Sequence, residues 1–353
     1  MKRGLEIVIK SLLSEVNQLC KYVLPIHIYE KLIWRIQYFI DKDFRENCEI
    51  HKSFGKLNPD KIFYVLRCDA DQWGTYTMCN EFLLQFEKAS EKGYIPIVDL
   101  KNYRPKLLDN GDPNSNLWEL MFRQTTSISL DEVYNSKNVI LGWKNGYTYN
   151  TLDTDFKWTS IERVSRNEII RWGKVFNENI KLTPSLQDKV EIFWQNELWG
   201  RRVLGVALRE VYRYTALINS DMGRGHVILK TPEESIVQVE YYMKKWDCQY
   251  VFVICDDKEC TQKFKKHFKE KCILYDRRRG IYFQNGEVVK DKELVKKELP
   301  SHYERNLEYL IEVELLARCT SIWSGITSGT EAALFRNNGK YEYINIYDEG
   351  TYI

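Results

Sequence analysis

The chain has 353 residues, 44% of them hydrophobic, enough for about two domains of ordinary size with substantial cores. Its 52 basic and 50 acidic residues leave a formal net charge of +2, so there is no global field of the kind that gathers nucleic acid. Its 9 cysteines contain no Cys-x-x-Cys pair and match no zinc-ligand spacing, which points to free thiols in a reducing compartment.

Leu5, Val8, Ile9, Leu12, Leu13 and Val16 recur at helical spacing, and residues 28–40 carry a second stripe. Residues 1–55 are therefore predicted to form a helical N-terminal extension. Lys21, Lys31 and Arg35 accompany Trp34, Tyr38 and Phe39, a mixture that suits peripheral contact with a membrane surface through residues 1–50. Such stripes more often pack on the following domain. Glu6, Lys10, Ser14 and Glu15 break the first apolar stretch, which fits neither a signal peptide nor a membrane span, and a cytoplasmic location is expected.

Residues 61–67 read as a strand, 69–76 as a polar loop, 78–92 as a helix capped by Gly93, and 94–100 as a second strand. That order is a βαβ unit, with a right-handed crossover expected. A loop at 102–116, short helices at 117–123 and 130–134, and a strand at 139–142 follow. Residues 162–199 read as mostly helical, with a break near Thr183 and Pro184. The boundaries drawn from this are an N-terminal α/β lobe at 56–185 and a C-terminal Rossmann-like lobe at 186–353.

In the second half, strands are predicted at 203–208, 250–255, 271–275 and 319–323. Helices are predicted at 232–246, 258–268, 303–317 and 326–337, with loops at 210–231 and 280–291. The basic runs 263–271 and 277–279 are interrupted or flanked by acids and read as solvated surface. Alternating strands and helices in both halves predict an α/β fold of two Rossmann-like lobes facing a cleft.

Three segments carry candidate chemistry. The apolar strand 203–208 ends on Arg209, and an arginine at the carboxyl end of a parallel strand can fork onto a phosphate. A salt bridge to a neighbouring loop is the plainer alternative. Asp256 and Asp257 end the next strand, where a carboxylate can accept bonds from a ribose or base. Residues 324–331 run Ser-Gly-Ile-Thr-Ser-Gly-Thr-Glu into a helix, placing Ser328, Gly329 and Thr330 where free N–H groups attract an anion. An ordinary N-cap with a glycine turn explains that segment equally well. No Walker-type motif and no Gly-x-Gly-x-x-Gly after a strand occurs, which argues against P-loop and dinucleotide-dependent chemistry. Glu210, Asp221 and Asp71 are the carboxylates best placed as a base, although loop acids are usually just solvated.

Gly205-Val-Ala-Leu-Arg209, the loop with Gly225 and His226, Ile254-Cys-Asp-Asp257 and the 316–329 segment together resemble the motifs of the α-1,6-fucosyltransferase and protein O-fucosyltransferase superfamily. In the first half, Gly74, the 94–100 strand, Asn116-Leu-Trp118-Glu and 136–140 follow the pattern of its bacterial capsule and surface-polysaccharide members. The likeness covers roughly residues 60–353. It implies a GT-B-type glycosyltransferase fold, an inverting and metal-independent reaction, GDP-fucose as donor, and a glycan or lipid-linked oligosaccharide as acceptor. Carried over by position, Arg209 would bind the β-phosphate and His226 would line the donor site. Asp256 or Asp257 would hold the guanine or ribose, while Ser328, Gly329 and Thr330 would cradle the diphosphate. The family continues its arginine with Gly-Thr-Asp or Arg-Thr-Asp, whereas this chain has Glu210-Val-Tyr, and Val227 replaces the proline that follows the histidine. Those departures favour an alternative: a catalytically inactive relative acting as a binding or scaffold subunit.

Overall fold

The computed structural model describes residues 49–68, 74–142, 166–219, 226–350 and Tyr352. The expected N-terminal helices, Asp71, Asp221 and Gly225 lie outside the described residues. The first sheet has strands β1 (Ile50–Lys52), β2 (Phe63–Leu66), β3 (Ile95–Val98) and β4 (Val139–Leu141), in the order β1-β4-β2-β3. Strands β2, β3 and β4 run parallel, and β1 pairs antiparallel with β4 through Ile50 and Leu141. The sheet thus starts inside the segment read as a helical extension, and that reading is corrected for residues 50–52. Three residues are too few to show a period, and the partner strand lies far along the chain.

Helix α1 (Thr75–Glu91) crosses from β2 to β3 and buries Tyr76, Cys79, Phe82, Leu83 and Phe86, a stripe with steps of three and four. Gly93 ends it at φ 66°, a left-handed value that glycine adopts without steric cost. Short helices α2 (Leu117–Met121) and α3 (Leu130–Val133) precede β4, and α4 (Arg166–Asn179) and α5 (Pro184–Phe193) lead to the second sheet.

That sheet is parallel, with β5 (Val203–Leu208), β6 (Tyr250–Cys255), β7 (Cys272–Ile273), β10 (Ser321–Gly325) and β11 (Ile344–Tyr347) in the order β11-β10-β5-β6-β7. All six residues of β5 are buried, as expected for a strand covered on both faces. The order reverses between β5 and β10, which opens a crevice at their carboxyl ends, the place where ligands bind in sheets of this kind. Helices α6 (Glu210–Ile218), α7 (Pro232–Lys245), α8 (Lys258–Phe268), α9 (Lys292–Lys296), α10 (His302–Leu316) and α11 (Ser328–Asn337) complete this half.

Two expected loops are structured instead. Residues 210–218 form α6 because Val211 and Tyr214 pack on Tyr282, Phe283 and Val289. Those partners come from a hairpin, β8 (Phe283–Gln284) with β9 (Glu287–Val288), inside the expected 280–291 loop. Asn285 at φ 51° and Gly286 at φ 81° make its turn, the Asn-Gly pairing that favours a type I′ hairpin. One apolar cluster runs from Tyr64 and Leu66 through Phe82, Trp118, Phe176 and Phe335 to Phe252 under the second sheet. The two sheets therefore share a core. At that junction the Thr77 and Ser328 hydroxyls are 3.0 Å apart, and Asn80 Nδ2 donates to Glu331 Oε2 at 3.0 Å.

Candidate nucleotide-diphosphate site

Arg209 follows β5, Asp256 follows β6 and α11 begins just after β10, so parallel pairing brings all three to one sheet edge. Arg209 is the N-cap of α6, and its side chain is about one-quarter exposed. Its Nη1 lies 3.2 Å from Asp256 Oδ2, and Asp256 Oδ1 accepts from the Val211 N–H at 3.2 Å. Burial opposes charge on Arg209, but Asp256 more than offsets it and the guanidinium stays cationic. The rings of Tyr309 and Tyr212 flank it, with centroids 4.9 and 5.5 Å from Cζ.

His226 stacks on Tyr212 at 4.6 Å and 19°, which places it beside Arg209. Burial and then the Arg209 charge lower its pKa, so the imidazole is neutral at pH 7. On the other side of Arg209, Tyr309 reaches the first turn of α11: a Cβ built on Gly329 would lie 2.0 Å from its hydroxyl oxygen. Only glycine permits this approach without a shift. Tyr309 also meets Tyr76 edge-on at 5.9 Å, and Tyr76 is in the first turn of α1. Tyr309 thus links Arg209 to the first turns of both α1 and α11.

The remaining expected residues divide. Thr330 commits its hydroxyl to Ser324, Thr327 and Gly325 at 2.8–2.9 Å and is fully buried, so it braces the turn and its side chain cannot cradle a phosphate. Thr327 caps α11 by accepting from the Thr330 N–H. What the turn offers an anion is the backbone N–H groups of its first residues, Ser328 and Gly329.

Asp257 differs from expectation. Its Oδ1 accepts from Cys260 N at 2.7 Å to cap α8, and its Oδ2 accepts from Tyr282 N and Phe283 N at 3.0 and 3.2 Å. Both oxygens hold backbone, so the residue does not hold a guanine or ribose; burial lifts its pKa to about 6 against those bonds. Glu210 is likewise turned inward. It is 1% exposed, its Oε2 pairs with Arg213 at 2.6 Å, and its Oε1 is buried without a hydrogen-bond partner. Burial outweighs Arg213 and raises its pKa to about 7. That value suits a base, but the carboxylate cannot reach a substrate hydroxyl.

Arg277 and Arg279, read as solvated, are buried. Arg277 Nε lies 2.9 Å from Glu312 Oε2 and Arg279 Nη2 lies 3.2 Å from Glu312 Oε1. Both guanidiniums also donate to the Cys255 carbonyl at the end of β6. A carboxylate 33 residues downstream, on a different element, gave no local signal that these arginines point inward. Among the described residues, no group of three or more His, Cys, Asp or Glu side chains could hold a metal ion, and no helix is long and apolar enough to cross a membrane. The described cysteines are free and buried.

No family model matches the chain, and no curated protein does. Among solved structures, the chain is similar to NodZ alpha-1,6-fucosyltransferase soaked with GDP-fucose, at 15% identity and a TM-score of 0.44 over 78% of this chain and 93% of that one. It is similar to fucosyltransferase NodZ from Bradyrhizobium at 14% identity and a TM-score of 0.42, over 78% and 92% of the two chains. It is also similar to POFUT1 in complex with GDP-fucose, at 11% identity and a TM-score of 0.41, over 80% and 98%.

Proposed function

We propose that this protein is a glycosyltransferase that transfers fucose from GDP-fucose, with inversion and without a metal ion, to a glycan or lipid-linked oligosaccharide. The observation that carries this reading is the convergence of Arg209 and the α11 N-terminus on the crevice between β5 and β10. A departing nucleoside diphosphate gathers negative charge, and a fixed guanidinium with helix-terminal N–H groups stabilises that charge without reorganising. In this reading the protein is a two-lobed GT-B-type enzyme with the first sheet on the acceptor side. His226 lines the donor site, and Asp256 keeps Arg209 aimed. Asp221 is the candidate base, since Glu210 is committed to Arg213. Work on surface polysaccharide at the cytoplasmic face of a membrane, with residues 1–50 as the contact, belongs to the same proposal.

The burial of Glu210 also supports a second reading, in which the chain binds the nucleotide sugar as an inactive subunit. A thermal-shift screen against GDP, UDP, CDP and their sugars tests the shared premise. A ligand at 100 times its Kd adds about 2.7 kcal/mol to stability. Stabilisation by GDP-fucose is expected, and release of GDP with an acceptor in single turnover separates the enzyme from the binding subunit. No response to any nucleotide would overturn both readings.

A further inference from the structure

Tyr309 belongs to none of the motifs that point to the nucleotide site, yet it touches both Arg209 and the first turn of α11. It lies on α10, with the Arg209 guanidinium over its ring face, Tyr76 at its edge and its hydroxyl against Gly329. The hydroxyl thus sits between the fixed cation and the N–H groups that open α11. Tyrosines elsewhere in the same packing spend their hydroxyls on backbone: Tyr76 donates to the Leu310 carbonyl at 3.3 Å and Tyr341 to that of Leu316 at 2.8 Å. The Tyr309 hydroxyl has no such partner among the described residues, and it is not among the buried side-chain oxygens sealed away without a partner. A phenol set in an otherwise apolar wall ordinarily finds an acceptor. The Arg209 guanidinium over its ring and the N–H groups at the start of α11 are donors, so the unoccupied hydroxyl shares their orientation toward an anion.

We infer that Tyr309 contacts the ligand directly, its hydroxyl donating a hydrogen bond to the diphosphate while its ring holds the Arg209 guanidinium in plane to fork onto the same group. This rests on the diphosphate reading given above. Burial raises the phenol pKa to about 12, against the pull of Arg209, so it carries its proton throughout the neutral range. Gly329 is the matching feature in the chain, because any side chain there would take the place of the hydroxyl.

The test is calorimetric titration of inorganic pyrophosphate and of GDP into the parent protein, Tyr309→Phe and Gly329→Ala. Tyr309→Phe keeps the ring beneath Arg209 and removes only an unpartnered oxygen, so its melting temperature should match the parent. Its affinity for both ligands should fall by roughly tenfold, the usual weight of a hydrogen bond to a charged group. Gly329→Ala pushes the hydroxyl aside and should give a comparable loss with the tyrosine still present. Parental affinity for pyrophosphate in folded Tyr309→Phe overturns the inference and leaves the nucleotide reading intact. Pyrophosphate binding that weakens in both variants, without any response to GDP, upholds the Tyr309 contact and overturns the guanine-nucleotide reading. A parent that binds neither ligand overturns both.

Discussion

Asp256 and Arg209 face each other across the carboxyl ends of adjacent parallel strands, with Oδ2 3.2 Å from Nη1. The contact fixes one edge of a planar cation, and the rest of it keeps no hydrogen bond to the described residues. An arginine held this way is pre-aimed, and the geometry of its fork matters as much as its charge.

Arg209→Lys keeps the charge and loses the fork, so it should depress turnover heavily. Arg209→Ala should lose on the order of 100-fold or more in single-turnover rate, as other preorganised charge-stabilising donors do. Arg209→Lys keeps a cation beside Asp256 and should melt close to the parent, whereas Arg209→Ala leaves that carboxylate unpaired and should melt lower. A folded Arg209→Ala protein with full activity would sink the assignment.

Nucleotide binding and transfer should be indifferent to EDTA, because Arg209 and the α11 N-terminus supply the positive charge that a divalent ion otherwise would. Activity abolished by chelation and restored by Mn²⁺ or Mg²⁺ would contradict this. Asp69 and Asp71, spaced like a metal-chelating pair, would then be the residues to substitute first.

Glu210 gives a pH signature. Its pKa in the fold is about 7 against an ordinary 4.5, so between these values the unfolded chain has released a proton that the native state keeps. Stability conferred by the protonated carboxyl is complete below about pH 4.5 and declines as pH rises toward 7, a loss on the order of 1–3 kcal/mol. Glu210→Gln should lack this decline. Urea midpoints for parent and variant, compared across that window, would count against the argument if they ran parallel.

The Arg277–Glu312–Arg279 group should be sensitive to removal of its centre. Glu312→Ala leaves two buried guanidiniums facing each other and should cost about 3–5 kcal/mol in denaturant unfolding. A midpoint near the parent's would show that water or a rearranged acid replaces it cheaply.

Deleting residues 1–48 should leave GDP affinity within about twofold, a change of roughly 0.4 kcal/mol. Deleting residues 1–55 removes β1 and with it buried Ile50, so the melting temperature should drop. Equal melting temperatures for the two truncations would mean that β1 contributes nothing to the first sheet.

Strands β5 and β6 and helix α8 fall on the residues their patterns assign, because each is a continuous apolar run or a strong 3.6-residue stripe between clear breaks. Strand β1, helix α6 and the β8–β9 hairpin escaped because distant partners hold them: Leu141 for Ile50, and Tyr282 with Phe283 for Tyr214. The hairpin does carry a local signal in Asn285-Gly286, a pairing that favours a tight turn despite the polarity around it. The place of Arg209 at the sheet edge is legible because it abruptly ends an apolar strand. Asp257 is not separable in sequence, where a capping carboxylate and a ligand-binding one look alike. Tyr309 was invisible, since an aromatic on an amphipathic helix reads as core until its hydroxyl is seen against Gly329.

Glu331 pairs with Asn80 where α1 meets α11. An acid in the first turn of a helix ordinarily answers the positive end of its dipole. Here burial raises the Glu331 pKa well above the ordinary value, a hydrogen bond from Asn80 opposing it only in part. The acid side chain that could answer the field at the mouth of α11 is thus turned into the interior, where burial works against its charge. The attraction that the α11 terminus exerts is left for whatever anion arrives from solution.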